Sequence, residues 1–139
     1  MLTPQALWLR GQNGDRSAWI VLWVRISAAV VWFVFGTIFK VLDLVPRHRE
    51  IVAAILGHEI APLITTFIGL GETALGLWML SGFLPRSCAL AQTIAIVSMN
   101  TLELIYAQSL LLAPVPMVLV NSVLLALVWY AALWTSAQR

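Results

Sequence analysis

Four apolar stretches, each about as long as a bilayer's hydrocarbon core is thick, occupy most of this 139-residue chain. They cover residues 18–41, 60–80, 87–110 and 115–134. Ser81-Gly82 and Pro85-Arg86 punctuate the second and third, and Pro114 and Pro116 separate the third from the fourth. Without those two prolines the last two stretches would read as one overlong helix, because no charge occurs between Glu103 and Arg139. Only 10% of the residues are charged and 61% are hydrophobic, whereas a soluble domain carries roughly a quarter charged. The surplus apolar surface requires lipid. The chain therefore reads as an all-α integral membrane four-helix bundle: an N-terminal extension at 1–17, then a single four-span domain at 18–139.

The first apolar run follows Arg10 and Arg16 as a signal peptide would, but it is too long for a signal h-region and reads as an uncleaved span. Residues 45–56 differ from the spans. Pro46 opens a helical turn, Arg47, His48, Arg49 and Glu50 follow, and Val52, Ile55 and Leu56 share a side. This pattern predicts a short amphipathic helix at the membrane interface between spans one and two. Four spans place both termini on one side, with Arg10, Arg16, Arg86 and Arg139, against Lys40, Arg47 and Arg49 on the other. By the positive-inside rule the termini are cytoplasmic. The net charge of +2 is small and scattered, and no nucleic-acid partner is expected.

The informative residues are those that membrane helices normally exclude. An ionised side chain at a span centre costs about 2.5–3.5 kcal/mol on insertion scales, so it must face the bundle interior. At about 100° per residue, Pro62, Thr65, Gly69, Glu72, Thr73 and Gly76 fall on one face of span two. Glu72 thus shares its face with the small residues that let helices approach. In span one Arg25, Ala29, Trp32, Gly36 and Asp43 form a stripe with Lys40 at its edge. In span three the stripe is Gln92, Ile96, Met99, Asn100, Glu103 and Ala107, and span four contributes Asn121.

Depth divides these groups into two layers. On the side of the termini the reading is a buried ion pair, Arg25–Glu72, with Gln92 beside it. Towards the opposite surface Lys40, Asn100, Glu103, Tyr106 and Asn121 form a candidate ligand pocket. Gly36, Gly69, Thr73 and Gly76 are expected at helix–helix contacts. The alternative is that these polar groups only fix helix register.

Cys88 is the sole cysteine, so neither an internal disulfide nor a Cys-x-x-Cys redox pair exists, and a buried inert thiol is expected. His48 and His58 read as exposed loop histidines, and no metal site is expected. No P-loop, dinucleotide fingerprint or nucleophile–base motif occurs, leaving catalytic residues unassigned. Trp8, Trp19, Trp23, Trp129 and Trp134 gather near span ends as an aromatic belt, while Trp32 and Trp78 read as packing.

Residues 25–40, with Arg25, Trp32, Gly36 and Lys40, followed by Pro46 and Glu50, resemble the opening of DoxX-like membrane proteins. The Gly69, Gly71, Glu72 and Gly76 pattern is similar to that family's second-span motif, and residues 114–121 to its fourth-span entry. The resemblance implies a four-helix fold and a bacterial inner-membrane location. It also implies the company of redox proteins, since the group includes small subunits of quinone-linked oxidoreductases and membrane parts of oxidative-stress complexes. Two functions are compatible with the chain. One is an accessory subunit or anchor of an oxidoreductase complex, not catalytic by itself. The other is a membrane protein that binds a quinone or other lipophilic ligand near Glu103, Asn100 and Asn121. The lipid bilayer is the first partner, a membrane or peripheral protein the second, and homo-oligomerisation stays open.

Overall fold

The computed structural model describes residues 4–138, with side chains from residue 14 onward. Trp8 of the expected aromatic belt, and Arg10 and Arg139 of the charge tally, lie outside the residues whose side chains are described. The order is α1 (Pro4–Phe33), a π-helical segment (Val34–Val41), α2 (Arg47–Leu56), α3 (Ala61–Ser81), α4 (Pro85–Tyr106), a 3-10 turn (Gln108–Leu110) and α5 (Pro114–Ala137). No strand occurs among the described residues. Four helical stretches are long and apolar enough to cross a bilayer, the first combining α1 from Gly14 with the π-helical segment. The protein is a multi-pass membrane helical bundle.

Boundaries moved for local reasons. The described part of the expected N-terminal extension is helical, because α1 begins at Pro4 and runs without a break into the first span. Span three ends at Tyr106, where Ala107 leaves helical geometry at φ −131°, so residues 107–110 belong to the connection. Prolines open α3, α4 and α5 in their first turns, where the missing N–H has no helical partner to lose. Gly82 closes α3 at φ +65°, a left-handed conformation that glycine adopts without steric cost.

The half of the bundle that holds the chain ends, here the near half, has a tight core. Val21 and Ala28 of α1, Met79 of α3, Cys88 and Ala89 of α4, and Val128, Ala131 and Ala132 of α5 bury one another. Small alanines let four helices meet there. In the far half the principal contact is between the π-helical segment and α3. A Cβ on Gly36 would lie 2.6 Å from the carbonyl oxygen of Gly69, and one on Gly69 would lie 2.6 Å from that of Gly36. Thr37 and Thr73 join through their hydroxyls at 2.8 Å beside this crossing. Gly76 faces the Ala29 carbonyl and Trp32 further along α3.

The amphipathic helix is present as α2, but it is seated on the bundle. Ile51, Val52 and Ala53 are its buried residues, with Val52 and Ala53 against Ala61, Ile64 and Ile68 of α3. Leu56, expected on the apolar side, is 50% exposed. Folding back onto α3 and α4, α2 buries Val52 of the expected side and shifts the buried face from Leu56 towards Ile51 and Ala53.

Candidate functional site

Two polar groupings occur among the described residues, and their membership differs from the expected layers. Arg25 does not pair with Glu72. Its Nε donates to the Met79 carbonyl at 3.0 Å and its Nη2 donates to that of Leu80. These carbonyls lie in the last turn of α3, where they lack helical donors and where the helix dipole favours a cation. The reason is register: Gly36 abuts Gly69, Gly76 abuts Ala29 and Gly82 abuts Arg25, so Arg25 lies level with the end of α3. Glu72 is some eight residues earlier, a separation of roughly 12 Å at the helical rise.

Gln92 occupies the middle of the near half and is completely buried. Its Oε1 accepts from Trp32 Nε1 at 2.6 Å, and its Nε2 points at Cys88 Sγ, 3.3 Å away, and at Met79 Sδ, 3.6 Å away. Trp32, read from sequence as packing alone, is thus the partner that satisfies this amide. Gln92 belongs with Trp32, not with an Arg25–Glu72 pair.

Glu72 instead receives Lys40, whose Nζ donates to both carboxylate oxygens at 2.6 and 2.7 Å. Both residues are buried. Lys40 reaches inward because the backbone from Val34 to Val41 is π-helical, with Leu42 N–H bonding back to the Thr37 carbonyl at 2.9 Å. The wider turn changes the phase of everything after Phe33, and π-helical turns are concentrated at functional sites. Two residues past the segment, Asp43 adopts φ +51° and forms an ion pair with Arg49 of α2. That pair ties the end of the segment to the start of α2.

The ion pair borders a cavity of about 410 Å³ in the far half. Asn100, Glu103 and Asn121 line it as well, bringing the expected pocket residues of spans three and four together with Lys40 and adding Glu72. Asn121 Nδ2 donates to Asn100 Oδ1 at 2.9 Å, linking α5 to α4. The Glu103 carboxylate has no hydrogen bond among the described residues. The charges around it are Lys40, Glu72 and Arg47. Tyr106 does not join the site: it is 61% exposed, and Ala107, four residues past Glu103, takes the inward position. The remaining walls are mostly apolar, from Val31, Trp32, Phe35, Ile96, Met117 and Val120 among others.

Arg47 and His48 cover the cavity from α2, and residues 111–113 cover it from the α4–α5 connection. His48 is not an exposed loop histidine. Its ring lies 6.1 Å from that of Phe35 and 5.6 Å from that of Phe39, and its Nδ1 is buried. Removal from water, aided by the charges of Lys40 and Arg47, lowers its pKa from 6.5 to about 4. It is therefore a neutral imidazole at physiological pH.

The family model of the DoxX-like family matches residues 29–129. The chain belongs to the DoxX-like family. The match begins just before the π-helical segment and ends within α5, so it includes every residue of the far-half cavity. No curated protein and no solved structure matches this DoxX-like chain.

Proposed function

We propose that this DoxX-like protein binds a lipophilic molecule with a hydrogen-bonding head group, of the quinone class, inside the far-half cavity. The observation that supports this reading is the meeting of polar side chains from five segments on one largely apolar cavity of about 410 Å³. That volume is within the roughly 300–1,000 Å³ of small-molecule sites, as is the mixture of apolar walls with a few convergent polar groups. The Asn121–Asn100 bond leaves the Asn100 amide protons and the Asn121 carbonyl oxygen for a ligand. A quinone carbonyl accepts from the first, and a quinol hydroxyl donates to Glu103 or to the second. Lys40 and Glu72 neutralise each other and leave Glu103 as the unpaired carboxyl at the cavity.

The test uses the full chain in lipid nanodiscs with a short-tailed, photo-crosslinkable quinone analogue, mapped by peptide mass spectrometry. Labelling is expected at Met99, Met117 or Val120, and Glu103→Gln and Asn121→Leu should reduce it. Labels confined to the lipid-facing Leu63 and Phe67, unchanged by either substitution, would remove the reading.

A second reading is that of an accessory subunit or anchor of a membrane oxidoreductase complex. It is favoured by how little of each span the bundle covers: 17–28% of each apolar window is buried, leaving broad lateral faces for a partner. Gentle purification from the native membrane should bring down redox subunits if this holds. The bacterial inner membrane is the proposed location, with cytoplasmic termini. Burial of Lys40 against Glu72 takes it out of the charge tally and sharpens the arginine bias towards the side of the termini.

A further inference from the structure

The near and far halves differ in how α1 and α5 stand to each other. In the near half Val21 and Ala28 share a core with Val128, Ala131 and Ala132. In the far half the π-helical segment packs on α3, α1 and α2, and α5 has no buried residue before Val128. The two helices part, and the cavity occupies the space between them. Val31, Phe35 and Val120 line that cavity while remaining 37%, 42% and 66% exposed. In a four-span bundle these residues lie at hydrocarbon depth, so their exposure is to lipid. Asn121, the neighbour of Val120, points the other way to Asn100.

We propose that the gap between α1 and α5 is a lateral portal, and that the ligand is a tailed amphiphile drawn from the bilayer. Its head group lies among Glu103, Asn100 and Asn121, and its hydrocarbon tail leaves between Val31 and Val120 into the same leaflet. This inference rests on the cavity reading and specifies the ligand's class: a long isoprenoid or alkyl chain on a neutral polar head. Arg47 and His48 cover the head on the aqueous side. Lateral entry spares the tail any passage through water.

The experiment compares a head-only methylated benzoquinone with a decyl-tailed quinone on the full chain in nanodiscs, with concentrations corrected for lipid partition. A photoreactive group at the end of the decyl chain reports the tail's course. The tailed compound should associate at least ~10-fold more slowly with Val120→Trp than with wild type, a larger slowing than the head-only compound shows in the same variant. Val31→Trp is the second variant should the first fold poorly, and tail-end crosslinks are expected at Leu119, Val123 or other lipid-facing positions beside the gap. Unchanged association in both variants, with Glu103→Gln still reducing binding, would overturn the portal and leave the cavity reading standing. Tail-end crosslinks at Leu112 would also overturn it, placing entry at the aqueous cover. Dissociation of a dimer by Val120→Trp would assign the gap to a second copy of the chain and overturn it too. Failure of wild type to bind either compound would overturn the cavity reading and the portal together.

Discussion

The two halves of the bundle solve the same problem differently. Each must keep a cation and several polar side chains at membrane depth. In the near half Arg25 caps the carbonyls that end α3, and Gln92 is enclosed by Trp32, Cys88 and Met79. The cavity bordering Arg25 there is only about 10 Å³, too small for a ligand. In the far half Lys40 and Glu72 satisfy each other and Asn100 bonds Asn121, yet Glu103 is left unbonded beside about 410 Å³ of space. A polar group enclosed by its partners serves the fold. One that faces an open space is available to something else.

The largest effect is expected at the close helix crossing of the far half. Gly69→Ala places a methyl against the Gly36 carbonyl and Lys40 Cβ, contacts no rotamer relieves, and should abolish folded protein in detergent. Gly71→Ala, two residues away and with open space at its Cβ position, should express and melt as wild type. Equal behaviour of the two would break the assignment of the close crossing.

Next comes the far-half ion pair. Glu72→Leu strands the Lys40 ammonium and should cost about 3–5 kcal/mol, with much of it recovered in the Lys40→Leu/Glu72→Leu double variant. Arg25→Leu combined with Glu72→Leu should instead be additive, since the two lie roughly 12 Å apart along the bundle. Thermal unfolding of the single and double variants separates these cases. Coupling between Arg25 and Glu72 would erase the division into halves. Gln92→Leu should cost less, about 1–3 kcal/mol, because the Trp32 N–H loses its acceptor in a dry site. A neutral outcome there would mean that water enters the near half.

Facing was legible in the sequence because α3 and α4 are regular: Thr65, Gly69, Glu72 and Gly76 are all buried, as are Gln92 and Ile96. Asn100 and Asn121, expected at one level, are joined by a hydrogen bond. Depth was legible for the pocket of spans three and four but not for Arg25 and Glu72. Counting from span midpoints placed Arg25 level with Glu72, whereas α1 extends back to Pro4 and the glycine crossing sets another register. Lys40 lines the expected pocket, but its pairing with Glu72 was not foreseen, because a constant helical phase cannot anticipate eight π-helical residues. His48 was read as exposed because its burial depends on α2 folding back, a tertiary event with no local signature.

His48 gives the smallest expected effect and the sharpest contrast, because it belongs to the far half alone. Folding takes its imidazole from water, and its pKa falls from 6.5 to about 4. Between those values the unfolded chain binds more protons than the folded one, so stability is full above pH 6.5 and is lost as pH falls towards 4. The ring is only partly buried, so the loss between pH 7.5 and pH 5 should be about 1 kcal/mol after allowance for screening. Glu72, Glu103, Lys40 and Arg47 border the same cavity, so the informative quantity is the difference between wild type and His48→Gln. His48→Gln should flatten the melting temperature against pH over that window, with Gln92 and Arg25 variants keeping the wild-type slope. An unchanged slope in His48→Gln would mean that the imidazole stays hydrated and that α2 does not cover the cavity.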